Sequence, residues 1–122
     1  MPDKRLYALR GAAQCLNETG DIEKWVSTLY SELLTKNSLD EAEVVSAIFS
    51  TTQDLNALNP CTALRHEGLA QDTALFATQE PTTQSSLPRV IRVIVHCYME
   101  EGAVLHHVYC NGAEVLRPDR KG

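Results

Sequence analysis

Apolar residues recur along residues 22–34 with the spacing of one face of an α-helix. Seven positions at intervals i, i+3, i+4, i+7, i+8, i+11 and i+12 are apolar, namely Ile22, Trp25, Val26, Leu29, Tyr30, Leu33 and Leu34. A continuous stripe of this kind predicts an amphipathic helix that packs against a core. Thr19 is its predicted N-cap and Asn37 its predicted stop. The stripe is assigned a structural role and no catalytic one.

Shorter apolar runs before and after this helix predict strands. The segments 5–10, 43–50, 72–78 and 89–98 have the length and the β-branched or aromatic content of strands. Gly11 follows the first of them directly and is expected to end it. The segment 72–78 has the weakest pattern of the four.

Two cap signals predict further helical turns between the strands. Ser38, followed three residues later by Glu41, has the form of a capping box and predicts a brief helical turn. Asn59 before Pro60 combines a good N-cap with a proline at the first helical position. A short helix is expected from there to about Glu67.

The remaining signals predict a loop and a hairpin. Residues 80–88 contain two prolines and four hydroxyl residues, so they form a predicted loop. Asn111-Gly112 stands between two apolar runs and predicts a β-hairpin. The resulting order is β-α-β-α-β-β-β, an α+β fold in which helices cover one face of a mixed β-sheet.

The size and charge of the chain narrow the function classes. With 122 residues, 43% of them hydrophobic, it suits one compact domain over residues 1–122. The net charge of −5 argues against nucleic acid or an anionic membrane as a partner. The apolar runs are shorter than the roughly 18 residues that span a bilayer, and the first residues lack a signal-peptide pattern.

The cysteines and histidines do not have metal-ligand spacing. Four cysteines lie far apart without a CxxC pair, which disfavours a disulfide framework or a zinc site and favours a reducing cytoplasm. His106 and His107 are adjacent, so in a strand they would point to opposite faces. Neither a metal nor a cofactor is expected.

Several charged residues suggest an anion site. Arg92 stands inside an apolar strand, where a buried guanidinium needs an anion, an interface partner or a route to solvent. Arg10 and Arg117 end strands, Arg65 lies late in the short helix, and Glu80 opens the polar loop. Singly, each suits an ordinary solvated charge. As a set in an acidic protein, the arginines could converge on a small dianion, because a guanidinium binds a carboxylate bidentately.

Six stretches carry a resemblance to a known family. They are residues 10–12 (RGA), 54–57 (DLNA), 59–65, Glu80, 86–93 (SLPRVIRV) and 107–119, which includes HVY and LRPD. In this order and at these intervals, they resemble the monofunctional chorismate mutases from about Arg10 to Asp119. The resemblance implies a homotrimer of the bacterial pseudo-α/β-barrel type, with an active site in each cleft between subunits. It implies conversion of chorismate to prephenate, in phenylalanine and tyrosine biosynthesis.

The resemblance also implies roles for individual residues. Arg92 would lie beside the breaking ether bond and hold the enolpyruvyl carboxylate, with Arg10 and Tyr109 near the same carboxylate. Glu80 would accept a hydrogen bond from the ring hydroxyl. The remaining substrate contacts would come from Arg65 and Arg117, toward the ring carboxylate, and from Leu75, Phe76 and Ala77.

Three positions depart from the family pattern. Asn59 stands where an aromatic wall is usual, Thr62 where a longer side chain is frequent, and Ala77 where Cys or Ser is common.

Three functions other than chorismate rearrangement are considered as alternatives. They are pyruvate elimination from a related substrate, imine hydrolysis by a trimer of the broader fold, and metabolite binding without turnover.

Overall fold

The computed structural model describes residues 3–116, in which five strands form one mixed sheet. The elements are β1 Lys4–Gln14, α1 Thr19–Lys36, β2 Val44–Thr51, α2 Pro60–His66, β3 Ala74–Gln79, β4 Val90–Glu100 and β5 Val108–Cys110. The strand order is β3-β2-β4-β1-β5. The central strand β4 is antiparallel to β1 and β2, whereas β3 pairs parallel with β2 and β5 parallel with β1. The predicted α+β class with a mixed sheet is confirmed.

Both helices pack against the same face of this sheet. The buried residues of α1 are those of the predicted stripe, among them Val26 and Leu29. They share one core with Leu9 of β1, Phe49 of β2 and Val95 of β4, which the strand register places on one face. Neither α1 nor α2 covers the opposite face, which is called the open face below. No helix within residues 3–116 has the length and apolarity needed to cross a bilayer.

The first strand does not end at Gly11. It continues to Gln14, paired with β4 along its whole length. A Cβ at Gly11 would lie 3.0 Å from the carbonyl oxygen of Val108, tighter than normal van der Waals contact. The glycine therefore allows β5 to approach β1 closely, and the predicted stop is wrong.

The predicted C-terminal hairpin is also wrong. Asn111 and Gly112 both have positive φ, 50° and 99°, as a tight hairpin turn requires. The chain then enters a 3-10 helix, Ala113–Leu116, instead of a second strand. The Asn111 side chain donates to the carbonyl oxygen of Gln14, and buried Ala113 packs in a small cluster at the end of the open face. These contacts direct the chain over the sheet edge.

The helix caps agree only in part with expectation. The N-cap of α1 is Glu18, without a side-chain cap bond, and Thr19 is the first helical residue. Asn37 is the C-cap, as predicted. Asn59 caps α2, whose first residue is Pro60, and this prediction is confirmed.

The capping box at Ser38 is replaced by a different cap. A 3-10 helix spans Glu41–Glu43, so the expected helical turn is present. Its N-cap is Asp40, which accepts from the Ala42 amide, whereas Ser38 precedes it with a positive φ of 49°. The segment 80–88 contains neither a helix nor a strand, as predicted for a loop.

Candidate active site

A row of side chains on the open face crosses all five strands. The strand register aligns Thr78 of β3, Ser50 of β2, Arg92 of β4, Ala12 of β1 and Tyr109 of β5. The two neighbours of Arg92 in this row are small. The guanidinium therefore has room to lie over the sheet, which explains how an apolar strand accommodates an arginine.

A cavity of about 330 Å³ lies over this row. Four of the predicted site residues line it, namely Arg10, Glu80, Arg92 and Tyr109. Its floor also contains the aliphatic side chains of Ile48 and Ile94. The site thus combines two cations and one carboxylate with an apolar surface, a composition that suits a small anionic ligand with a hydrocarbon ring.

Arg92 and Glu80 form the charged centre of the cavity. Arg92 Nε lies 3.4 Å from Glu80 Oε1, with the two side chains 43% and 24% exposed. Nε is buried and has no hydrogen-bond partner among the described residues. A buried donor without an acceptor is destabilising. The Arg92 side chain as a whole is partly exposed and lines the cavity, so the guanidinium can also contact a ligand that enters it.

Two contacts hold Glu80 at the end of β3. Its backbone N–H donates to the carbonyl oxygen of Thr51 at 2.8 Å. The hydroxyl of Ser50 donates to Glu80 Oε1. Ser50 was not among the predicted site residues, although the alternation of β2 places Ser50 and Ile48 on the face opposite buried Phe49.

Arg10 and Tyr109 lie at the β1–β5 side of the cavity. The Arg10 backbone N–H donates to His107 Nδ1 at 2.9 Å, which ties β1 to the residue preceding β5. The Arg10 residue is exposed, whereas Tyr109 is only 7% exposed and packs in the small cluster with Ala12. Arg10 therefore presents a solvated cation beside a fixed aromatic ring.

Four other predicted residues do not line this cavity. Arg65 lies on α2, on the helix-covered side of the sheet. Leu75 and Ala77 pack against the core, because their register partners Ala47 and Phe49 face the helices. Phe76 is on the open face and is 65% exposed.

Arg117 lies outside the described residues. The side chain of Asn59 is engaged as the cap of α2, accepting from the Cys61 amide at 2.8 Å. This bond gives Asn59 a structural use at the position where the family resemblance leads one to expect an aromatic residue.

A larger cavity, about 530 Å³, lies elsewhere on the protein. Its charged lining residues are Lys4, Asp40, Glu43 and Glu100, and Lys4 is paired with Glu43 at 2.5 Å. Carboxylates therefore exceed cations there. This balance disfavours a dianion, so the smaller cavity is the better candidate site.

Metal and thiol chemistry find little support in residues 3–116. No cluster of three or more His, Cys, Asp or Glu residues there could hold a metal ion. Burial is the main cause that raises the pKa of Cys15, Cys97 and Cys110 to about 11. These thiols are protonated at neutral pH and are poor nucleophiles.

Comparisons with known proteins give one consistent result. The family model "Chorismate mutase type I" matches residues 6–120. The chorismate mutase AroH of Thermus thermophilus is 33% identical over 114 residues, which cover 91% of this chain and 93% of the relative. The AroH protein of Bacillus subtilis (strain 168) is 28% identical over 116 residues, with 93% and 91% covered.

A solved structure agrees with the sequence relatives. A chorismate mutase from Clostridium thermocellum superimposes with a TM-score of 0.83 at 36% identity, over 89% of this chain and 98% of that one. This chain therefore belongs to the chorismate mutase type I family.

Proposed function

We propose that this chorismate mutase converts chorismate to prephenate in the open-face cavity, with Arg92 as its central catalytic residue. The observation that carries the proposal is the position of Arg92, whose partly exposed side chain lines the cavity and whose Nε lies 3.4 Å from Glu80 Oε1. A substrate oxygen in the cavity would meet this fixed cation. The aliphatic floor at Ile48 and Ile94 suits the carbon ring.

The reaction needs no proton transfer and no covalent intermediate. The ether C–O bond breaks as a C–C bond forms between the enolpyruvyl methylene and the ring, and electrons move around one six-membered cycle. Negative charge grows on the ether oxygen as its bond breaks. A fixed guanidinium in a partly desolvated site stabilises this charge more in the transition state than in the ground state.

The other cavity residues orient the substrate. Arg10, Glu80 and Tyr109 line the cavity. We infer that Arg10 and Tyr109 bind the enolpyruvyl carboxylate and that Glu80 accepts a hydrogen bond from the ring hydroxyl. Holding the two reacting carbons close lowers the barrier by several kcal/mol. Catalysis thus depends on alignment of the substrate and on one fixed positive charge.

We further propose that the active site is shared between the subunits of a homotrimer. Four residues that the resemblance assigns to substrate binding lie outside the cavity of their own chain, namely Arg65, Leu75, Phe76 and Ala77. A neighbouring subunit seated on the open face would bring such a second group to the cavity rim. The exposed apolar side chain of Phe76 supplies area for that contact.

Mixing inactive variants tests this division. We expect Arg92→Ala and Arg65→Ala each to be poor alone, and mixed trimers formed by co-refolding to regain activity. Recovery occurs because some clefts then combine two intact halves. If mixtures stay at the level of the single variants while trimers form, the two residues serve the same half and the shared site is wrong.

Product identity tests the reaction. The purified protein is added to chorismate, loss of the diene absorbance is followed, and the product is identified by chromatography. Prephenate without pyruvate is expected and places the protein in phenylalanine and tyrosine synthesis. Pyruvate would indicate elimination, and binding without turnover would indicate a metabolite-binding protein.

The location of the protein is part of the same proposal. The four cysteines are free in the described structure, three of them buried. Free thiols persist in a reducing compartment, so a cytoplasmic location is favoured.

A further inference from the structure

Ser50 occupies an unusual position beside the charged pair. It lies on the open face of β2, with Arg92 as its register partner on β4 and Thr78 as its partner on β3. It lines the same cavity as Glu80. Its strand therefore lies between β4, which carries Arg92, and β3, which ends directly before Glu80.

The hydrogen bond of Ser50 selects one oxygen of Glu80. Ser50 Oγ donates to Oε1, the same oxygen that lies 3.4 Å from Arg92 Nε. The side-chain contacts described for Glu80 thus all fall on Oε1. Oε2 is left without a hydrogen-bond partner among the described residues and can accept from a ligand.

We infer that Ser50 is a positioning residue that orients Glu80 toward the ring hydroxyl of the substrate. This inference rests on the proposed function. Without the Ser50 hydroxyl, the carboxylate can rotate and place both oxygens toward the guanidinium. A bidentate pair of that kind would hold Arg92 and Glu80 to each other and make both less available to the substrate.

The chain offers a matched control for Ser50. Ser46 lies four residues earlier on the same face of β2, and its hydroxyl contacts His96 Nδ1 at 3.2 Å. It does not line the cavity. Ser46→Ala therefore removes an equivalent strand hydroxyl from the open face without touching the charged pair.

The test compares kcat and KM for four single variants. Ser50→Ala is expected to lower kcat/KM about tenfold, the low end of what a hydrogen bond to a charged group contributes. Ser50→Thr keeps the hydroxyl and should retain most of the activity, and Ser46→Ala should match the unmodified protein. Glu80→Ala provides the background for a double-mutant cycle.

The cycle separates positioning from a structural role. In the Glu80→Ala background, Ser50→Ala is expected to cause no further loss, because no carboxylate remains to be oriented. An equal tenfold loss in both backgrounds would overturn the inference, as would a Ser50→Ala variant with native kinetics. The thermal midpoint of each variant shows whether any loss follows unfolding.

Failure of the inference is distinguishable from failure of the proposed function. If the unmodified protein does not form prephenate, the proposed function fails before any variant is measured. If it does form prephenate, and Ser50→Ala has native kinetics or loses activity equally in both backgrounds, only the role of Ser50 fails.

Discussion

Arg92 is a site residue that the sequence pattern singles out by itself. An arginine in an apolar strand predicts an anion or an interface, because a buried guanidinium needs a partner. The structure adds what the sequence could not supply, which is the register that places Glu80 near it and Ala12 and Ser50 beside it. Ser50 was not predicted because serine is common on the exposed face of a strand, and only the structure shows its hydrogen bond to Glu80.

The shape of the Arg92 cation should matter as well as its charge. Arg92→Lys is expected to lower kcat about 100-fold, since a single ammonium cannot contact the carboxylate and the ether oxygen together. Steady-state kinetics with chorismate measures the effect. A lysine variant with near-native kcat would mean that charge alone suffices.

At the scale of elements, periodic patterns predicted more than local turn signals. The stripe of α1 and the alternation of β2 and β4 extend over many residues, and tertiary packing uses them all. Gly11 and Asn111-Gly112 are short signals whose outcome depends on distant contacts. At Gly11 the deciding contact is with β5, nearly a hundred residues away, which no local pattern contains.

One element boundary near the site depends on a single carboxylate. Asp54 accepts the backbone N–H of Arg89 through both oxygens, each at 3.1 Å, and Arg89 has a positive φ of 50°. Arg89 directly precedes β4, so Asp54 fixes the start of the strand that carries Arg92.

Removing this carboxylate should loosen the start of β4. Asp54→Ala is expected to lower the free energy of unfolding by about 1–2 kcal/mol, because a charge-assisted hydrogen bond at a strained residue is lost. Urea unfolding measures it. Asp72→Ala, an exposed position before β3, is the control, and equal effects in the two variants would contradict the assigned role.

For the whole molecule, the sequence predicted the class of fold but not which of the predicted site residues meet in one cavity. Strand order and register depend on contacts between distant segments, and only they show that Arg10, Glu80, Arg92 and Tyr109 meet in one cavity. The same register places Leu75 and Ala77 on the helix-covered face. The sequence alone does not distinguish the two groups, because both include strand residues and successive side chains of a strand point to opposite faces of the sheet.

The buried ionisable groups predict a loss of stability in alkali. Burial raises the pKa of Cys15, Cys97 and Cys110 from 9.0 to about 11, and burial and then Glu41 raise the pKa of Tyr30. Above pH 9 the unfolded chain releases protons that the folded chain keeps. Stability should therefore fall as pH rises from about 9 to 11.

Urea unfolding at pH 7.5, 9 and 10 tests this dependence. The midpoint is expected to be nearly constant up to about pH 8.5 and then to fall. Cys97→Ala removes one of the titrating groups and should make the fall shallower. A midpoint that stays constant through pH 10 would show that these thiols titrate alike in both states.

The guanidinium of Arg92 is proposed to catalyse the rearrangement in the open-face cavity. The most direct test is kcat for chorismate conversion by Arg92→Ala beside Arg5→Ala, which removes an exposed arginine of β1 that lies over the Tyr7 ring, outside the cavity. Arg92→Ala is expected to lose about 100- to 1000-fold in kcat while folded, and Arg5→Ala to keep native turnover. Near-native turnover in folded Arg92→Ala would contradict this role.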